Sequence, residues 1–147
     1  MTIPAKKKPL VTLGVTGCIG AYKAPEILRR LQDKCLDIQP VLTSSAQQFI
    51  TPLTLQSLAH RRAVTDLWDE KYNFDVQHIS LSDETDVLLI APATGNIIAK
   101  MANGIADDFL STFYLACNTP VVVAPAMNSK MYAHPATQEN ITRLKQR

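Results

Sequence analysis

Among the 147 residues there are only three cysteines, Cys18, Cys35 and Cys117, an odd number with no metal-ligand spacing. That count excludes a disulfide framework and a zinc module, and points to a reduced, cytoplasmic protein without a bound metal. Long apolar runs are missing too. The longest, around "VLLIAPA" and "PVVVAPAM", are far too short to span a bilayer. Charge of one sign is scarce: the formal net charge is +2, much of the excess sits in Lys6, Lys7 and Lys8, and no basic stripe follows. Nucleic acid and membrane are therefore not expected partners. Glycine is sparse as well. Of five residues, Gly14, Gly17 and Gly20 fall together, and they do not make the G-x-G-x-x-G fingerprint of dinucleotide folds. No internal repeat or low-complexity segment is present.

What remains is ordinary globular material, 46% apolar and 19% charged, long enough for one domain with a proper core. Residues 1–8 read as a basic tail and 9–147 as the domain. "PLVTLGVT" (9–16) reads as a first strand, and "AYKAPEILRRLQDK" (21–34) repeats apolar residues at helical spacing. "LDIQPVLT" (36–43) returns to strand, with Pro40 casting doubt on its ladder. Short helices are expected over 44–50 and 52–60, and a loop with local structure over 61–80. "DVLLIAP" (86–92) is apolar enough for a parallel strand covered on both faces. Helices follow over 94–102 and 108–117, the second capped by Asp107. "PVVVAP" (120–125) is the last strand, and Pro135 opens a polar helix over 135–146. Strands alternating with helices specify an α/β fold: an open, mainly parallel Rossmann-like sheet with helices on both faces.

Ligands of such sheets sit beyond the carboxyl ends of the strands, so the residues after each strand carry the functional signal. After the first comes a glycine-bearing turn, "GVTGCIGAYK", suited to an anion at a helix start. After the second come Thr43, Ser44 and Ser45, which can donate to a phosphate where a carboxylate would repel it; a helix cap would use the same hydroxyls. Phe49 could stack on a flat ring or belong to the core. After the third, Thr94, Gly95 and Asn96 begin a helix. After the last, Met127 and Asn128 offer soft apolar contact and an amide able to donate to a carboxylate. His78 precedes the third strand and can act as acid or base near neutrality.

Taken together, "GVTGCIGAYKAPE", "TSSAQQFITPLTLQ", "HISLSDETDVLLIAPAT", "APATGNIIAKMANGIADDFLST" and "PAMNSKMYAHPAT" resemble, in order, motifs of the homo-oligomeric flavin-containing cysteine decarboxylases. Within that family they are most similar to the phosphopantothenoylcysteine decarboxylases, often the N-terminal domain of a bifunctional coenzyme A biosynthesis flavoprotein. The resemblance implies FMN as cofactor, contacted by Gly17, Cys18, Ile19, Thr43, Ser45, Phe49, Thr94, Gly95, Asn96 and Ala126. It implies His78 and Asn128 as catalytic residues, with Asn128, Met127 and Met131 binding substrate. The reaction implied is oxidative decarboxylation of the cysteine moiety of 4'-phosphopantothenoylcysteine, a step towards 4'-phosphopantetheine.

The resemblance further implies a homotrimer or dodecamer, and a phosphopantothenate–cysteine ligase, fused or separate, as partner. Gly95, Ile97 and Cys18 depart from residues common in the family. The family's C-terminal substrate clamp, with its cysteine, is not found among residues 1–147. Three alternatives share the fold and the FMN site: a decarboxylase of a peptide's C-terminal cysteine, a non-catalytic FMN-binding regulatory subunit, and a flavin prenyltransferase. The last should lack the His78 segment and the P-x-M-N motif.

Overall fold

The computed structural model describes residues 7–68 and 77–147. Within them a four-stranded, all-parallel sheet runs in the order β2-β1-β3-β4, formed by β1 (Leu10–Val15), β2 (Asp37–Leu42), β3 (Val87–Ala93) and β4 (Val121–Pro125). Helices fill the crossovers: α1 (Ala24–Gln32), α2 (Pro52–Ala59), α3 (Gln77–Glu84), α4 (Gly95–Asn103), α5 (Phe109–Ala116), α6 (Ser129–Ala133) and α7 (Pro135–Gln146). Most of the basic tail and the segment carrying Tyr72 and Phe74 lie outside the described residues.

Strand alternation divides the core in two. Leu13, Val15, Ile38 and Leu42 pack with Ala24 and Leu28 of α1 and Leu55 of α2. Leu10, Leu88 and Ile90 pack on the other face with Ile97, Ile98 and Met101 of α4 and the stacked Phe109 and Phe113 of α5. α7 closes this second layer through Ile141 and Leu144, and Arg143 Nη1 donates to Asn103 Oδ1 of α4 at 2.7 Å. The expected architecture is therefore present, with helices on both faces. Burial of β3 is less even than its apolar run suggests: Leu88 and Ile90 are fully buried, while Val87 and Leu89 are half-buried beside an exposed Val122 of β4. Among the described residues no helix is long and apolar enough to cross a membrane.

Pro40 sits inside β2, paired with Leu13. It is tolerated because its nitrogen faces away from β1: its carbonyl accepts from Val64 N at 3.0 Å on the outer side, while Asp37 N and Thr43 N turn inward to Pro9 and Val15. Several local expectations need correction. The helix expected over 21–34 begins as a 3-10 turn over Ile19–Lys23 before α1, and the one expected over 44–50 is a 3-10 turn of three residues, Ala46–Gln48. The expected loop around His78 is helical from Gln77 onward, so His78 stands on α3.

The cap of α5 is Asp108, not Asp107. Asp108 Oδ1 accepts from Ser111 N at 2.8 Å while Ser111 Oγ accepts from Asp108 N, a reciprocal capping box. Two adjacent aspartates are indistinguishable as caps by residue type; the backbone decides, because Asp108 has the extended conformation a cap needs. Asp108→Ala should therefore lower stability by about 1–2 kcal/mol in urea unfolding. Asp107→Ala should shift the midpoint much less, and the reverse ranking would show that the cap lies at Asp107.

Candidate active site

The carboxyl ends of all four strands surround one cavity of about 740 Å³, within the size range of small-molecule sites. Its first wall is the turn after β1. Thr16 is buried and ties two strand ends together: its hydroxyl donates to Pro92 O at 2.6 Å and accepts from Thr94 N at 3.0 Å. Gly17 then passes so close to the next turn that a Cβ placed on it would lie 2.7 Å from the carbonyl carbon of Ser45. Cys18, in extended backbone, caps the 3-10 turn, and Ile19 and Gly20 complete this wall.

The second wall is Thr43, Ser44 and Ser45 after β2. Both readings of these hydroxyls have a place here. Thr43 Oγ1 is used locally, accepting from Ala46 N at 3.2 Å, whereas Ser44 and Ser45 are exposed along the cavity. The third wall is the start of α4. Thr94 caps that helix by accepting from Ile97 N at 3.3 Å, and Gly95, Asn96 and Ile97 face the cavity.

The fourth wall comes from β4. Ala126 N donates to Ala93 O at 3.0 Å, which holds the strand's exit beside the start of α4. Met127 and Asn128 follow, and Met131 reaches the cavity from α6. Asn128 is the N-cap of α6: its Oδ1 accepts from Lys130 N at 2.8 Å. The carboxamide is thus half-committed, with its acceptor used by the backbone and its NH2 group left to donate.

Two charged side chains also line the cavity, Lys100 of α4 and Asp108 at the head of α5. Lys100 Nζ lies 2.7 Å from Asp107 Oδ1 and 3.1 Å from Asp108 Oδ2. Burial works against the ammonium charge, but the hydrogen bonds and charges of Asp107 and Asp108 outweigh it and hold its pKa above the ordinary lysine value. The hydrogen bond from Lys100 holds Asp107 below the usual carboxylate range. A raised lysine loses its contribution only as pH rises past the lysine range, and a lowered aspartate only as pH falls below the carboxylate range. Lys100 and Asp107 are therefore both charged at neutral pH.

Of the residues singled out in the sequence, the cavity gathers Gly17, Cys18, Ile19, Thr43, Ser45, Thr94, Gly95, Asn96, Ala126, Met127, Asn128 and Met131. Phe49 is half-exposed and does not line it, and neither does His78 on α3. Lys100 and Asp108 were missed, because mid-helix lysine and helix-capping aspartate look the same in sequence whether or not a cavity lies beside them. The spacing of Asn96 and Lys100, four apart and so on one face of α4, was the available signal. Among the described residues no group of three or more His, Cys, Asp or Glu is placed to hold a metal ion.

A flavoprotein family profile matches residues 3–147. The chain belongs to the flavoprotein family. This flavoprotein is 43% identical over 146 residues to the coenzyme A biosynthesis bifunctional protein CoaBC of Vibrio vulnificus, covering 99% of this chain and 36% of the relative. It is 43% identical over 136 residues to the CoaBC protein of Bacillus subtilis, covering 92% and 34%. The chain thus spans about a third of the length of the curated relatives it matches.

Among solved structures it is similar to the FMN-dependent cysteine decarboxylase SpaF, with a TM-score of 0.88, 34% identity and coverage of 94% and 79%. It is also similar to a PPC decarboxylase mutant complexed with pantothenoylaminoethenethiol, with a TM-score of 0.82, 30% identity and coverage of 95% and 79%.

The contact between Gly17 and Ser45 gives a direct test of how this flavoprotein's cavity is built. Gly17→Ala should destabilise the protein by roughly 1–3 kcal/mol, since the intruding methyl meets backbone that cannot rotate away. Gly95→Ala, whose methyl would meet only Met127 Sδ at 3.8 Å, should stay within about 0.5 kcal/mol of wild type. Equal denaturation midpoints for the two variants would show that the first and second walls do not touch in solution.

Proposed function

We propose that this flavoprotein binds FMN and carries out oxidative decarboxylation of the cysteine moiety of 4'-phosphopantothenoylcysteine. The observation that carries the reading is the cavity that Met127 and Asn128 line together with the glycine turn 17–20 and the hydroxyls of 44–45. Such a cavity takes a phosphate at one wall, a flat apolar ring along its length and a carboxylate at the other wall. The close passage of Gly17 over Ser45 fits FMN in particular: no side chain intervenes, so backbone and hydroxyl donors of two turns are available to one phosphate.

On this reading Gly17, Cys18, Ile19, Thr43 and Ser45 hold the phosphate end, and Thr94, Gly95, Asn96 and Ala126 flank the ring, while Phe49, outside the cavity of its own chain, takes no part in it. Bound FMN supplies a two-electron acceptor for the cysteine side chain, which makes loss of CO2 from the neighbouring carbon feasible. Asn128 holds the departing carboxylate through its Nδ2 donors, while Met127 and Met131 keep water from it. Its value is positional: a carboxylate held in one orientation leaves along one direction.

His78 is the acid–base residue of this reading, and it lies outside the cavity of its own chain. A homotrimer, or a dodecamer built from trimers, accommodates that position, because a neighbouring copy can deliver the imidazole. The strongly exposed Ile19 and Met131 beside the cavity support such a neighbour. The bifunctional curated relatives support a fused or separate phosphopantothenate–cysteine ligase as partner, and three free thiols support a cytoplasmic location. Similarity to the peptidyl-cysteine decarboxylase EpiD, at 25% identity and a TM-score of 0.80, supports a second reading, a peptide's C-terminal cysteine as substrate.

The test is the visible spectrum of the purified protein, taken before and after anaerobic addition of phosphopantothenoylcysteine. A yellow protein whose flavin band bleaches is expected. Bleaching only with a cysteine-terminated peptide would establish the second reading. Flavin without bleaching or CO2 release by either substrate would leave a non-catalytic binding subunit. Asn128→Asp should keep both the cap of α6 and the flavin, since a carboxylate also accepts from Lys130 N. Its CO2 release should fall by roughly a hundredfold or more, as the substrate carboxylate is repelled and misplaced. Normal turnover in that variant would remove Asn128 from the mechanism.

A further inference from the structure

We propose that Lys100 is the cationic contact of the FMN phosphate, and that it makes the site selective for FMN over riboflavin. The inference rests on the FMN reading above and deepens it.

Among the described residues only two charged side chains line the main cavity, and they differ in what they have left to offer. Asp108 is an acceptor only and is largely committed: its Oδ1 accepts from Ser111 N and Ser111 Oγ, each at 2.8 Å, and its Oδ2 accepts from Lys100. Lys100 is not. An ammonium carries three protons, and among the described residues Lys100 gives one to Asp107 and one to Asp108. The third is free for a ligand. Its side chain is only 16% exposed, so the charge is poorly screened by solvent.

Placement points to the phosphate rather than the ring. A second cavity of about 410 Å³ is lined on one side by Thr43 and Ser44 and on the other by Asp107 and Asp108. The head of α5, with the lysine bound to it, therefore faces the hydroxyl turn after β2. An anion received by Ser44, Ser45 and the turn at Gly17 would also meet the negative charge of Asp108. Lys100 offsets one of the two carboxylates there, Asp107 being the more exposed to solvent, and still has a donor to give. Phosphate is the one strongly charged group of FMN, and riboflavin differs from FMN only by lacking it. The comparison of the two ligands thus isolates the contact, as a double-mutant cycle does.

Equilibrium binding of each flavin to the 147-residue protein, followed by quenching of flavin fluorescence, provides the test. Wild type should bind FMN much more tightly than riboflavin. Lys100→Met should weaken FMN by roughly tenfold to a hundredfold, the usual worth of a charged hydrogen bond, and change riboflavin by no more than about twofold. Lys100→Arg should recover most of the loss.

Asp107→Asn gives an independent arm that keeps the lysine. Freed of one carboxylate, Lys100 should bind FMN several-fold more tightly with riboflavin unchanged, and this arm decides if Lys100→Met does not fold. Equal weakening of both flavins by Lys100→Met, or an unaltered FMN affinity, would overturn the assignment while leaving FMN as the ligand. Unchanged FMN affinity in Asp107→Asn would do the same. Wild-type protein that takes up neither flavin would remove the FMN reading, and this inference with it.

Discussion

The site depends on one buried hydroxyl. Thr16 leaves β1 and, through Pro92 O and Thr94 N, fastens the first turn to the exit of β3. Two turns that line the cavity are thereby set at a fixed separation, and the rest of the cavity is referred to them. Gly17 can lie against Ser45 because β1 and β2 are in register up to Val15 and Leu42. Ala126 is hydrogen-bonded to Ala93 one residue before Thr94, which brings Met127 to the start of α4. A buried hydroxyl with two short hydrogen bonds is also a rigid one, since losing either partner leaves a polar group without water.

Electrostatics add a second constraint at the opposite wall. Asp108 must accept from the first turn of α5, and that role brings a carboxylate to the edge of the cavity proposed to take a phosphate. Unopposed, it would repel a phosphate. Lys100 of α4 pairs with that carboxylate, at the cost of burying an ammonium, and Asp107 shares the lysine from the more exposed side. The "KMANGIADD" stretch is thus one electrostatic unit folded across the turn between α4 and α5, with Gly104 in the left-handed conformation that such a turn requires.

Much of this was legible in the sequence, and for identifiable reasons. Strands β1, β3 and β4 are apolar runs that end in glycine, proline or threonine, and a sheet of this kind puts its ligand at those ends. Most of the expected cavity residues follow from that rule alone. What escaped was decided by backbone or by distance. Adjacent Asp107 and Asp108 have equal capping propensity, and only the φ and ψ of Asp108 separate them. Lys100 is an ordinary residue in an amphipathic helix until α5 is folded beside it. His78 stands in a polar stretch whose periodicity is too weak to announce α3. Phe49 follows a three-residue 3-10 turn, which aims its ring differently from the longer helix expected there.

Asn128 shows how closely local structure and ligand chemistry can be joined in one side chain. The end of β4 must turn into α6, and the turn needs a cap whose oxygen accepts from Lys130 N. Aspartate, serine and threonine would all satisfy that need. A carboxylate ligand adds the opposite requirement, a donor without negative charge. Aspartate fails it by repulsion. A hydroxyl that already accepts from the backbone has a single proton to give, and only from the one oxygen. Glutamine has both groups but is too long to cap. Asparagine alone presents an acceptor to the helix and two donors to the cavity from a rigid planar group, so the backbone hydrogen bond that starts α6 also aims the amide. β4 has the apolar sequence of a core strand, yet it is the partly exposed edge of the sheet, and it runs into methionine and an amide because the strand's exit, the helix cap and the wall of the cavity are one piece of chain.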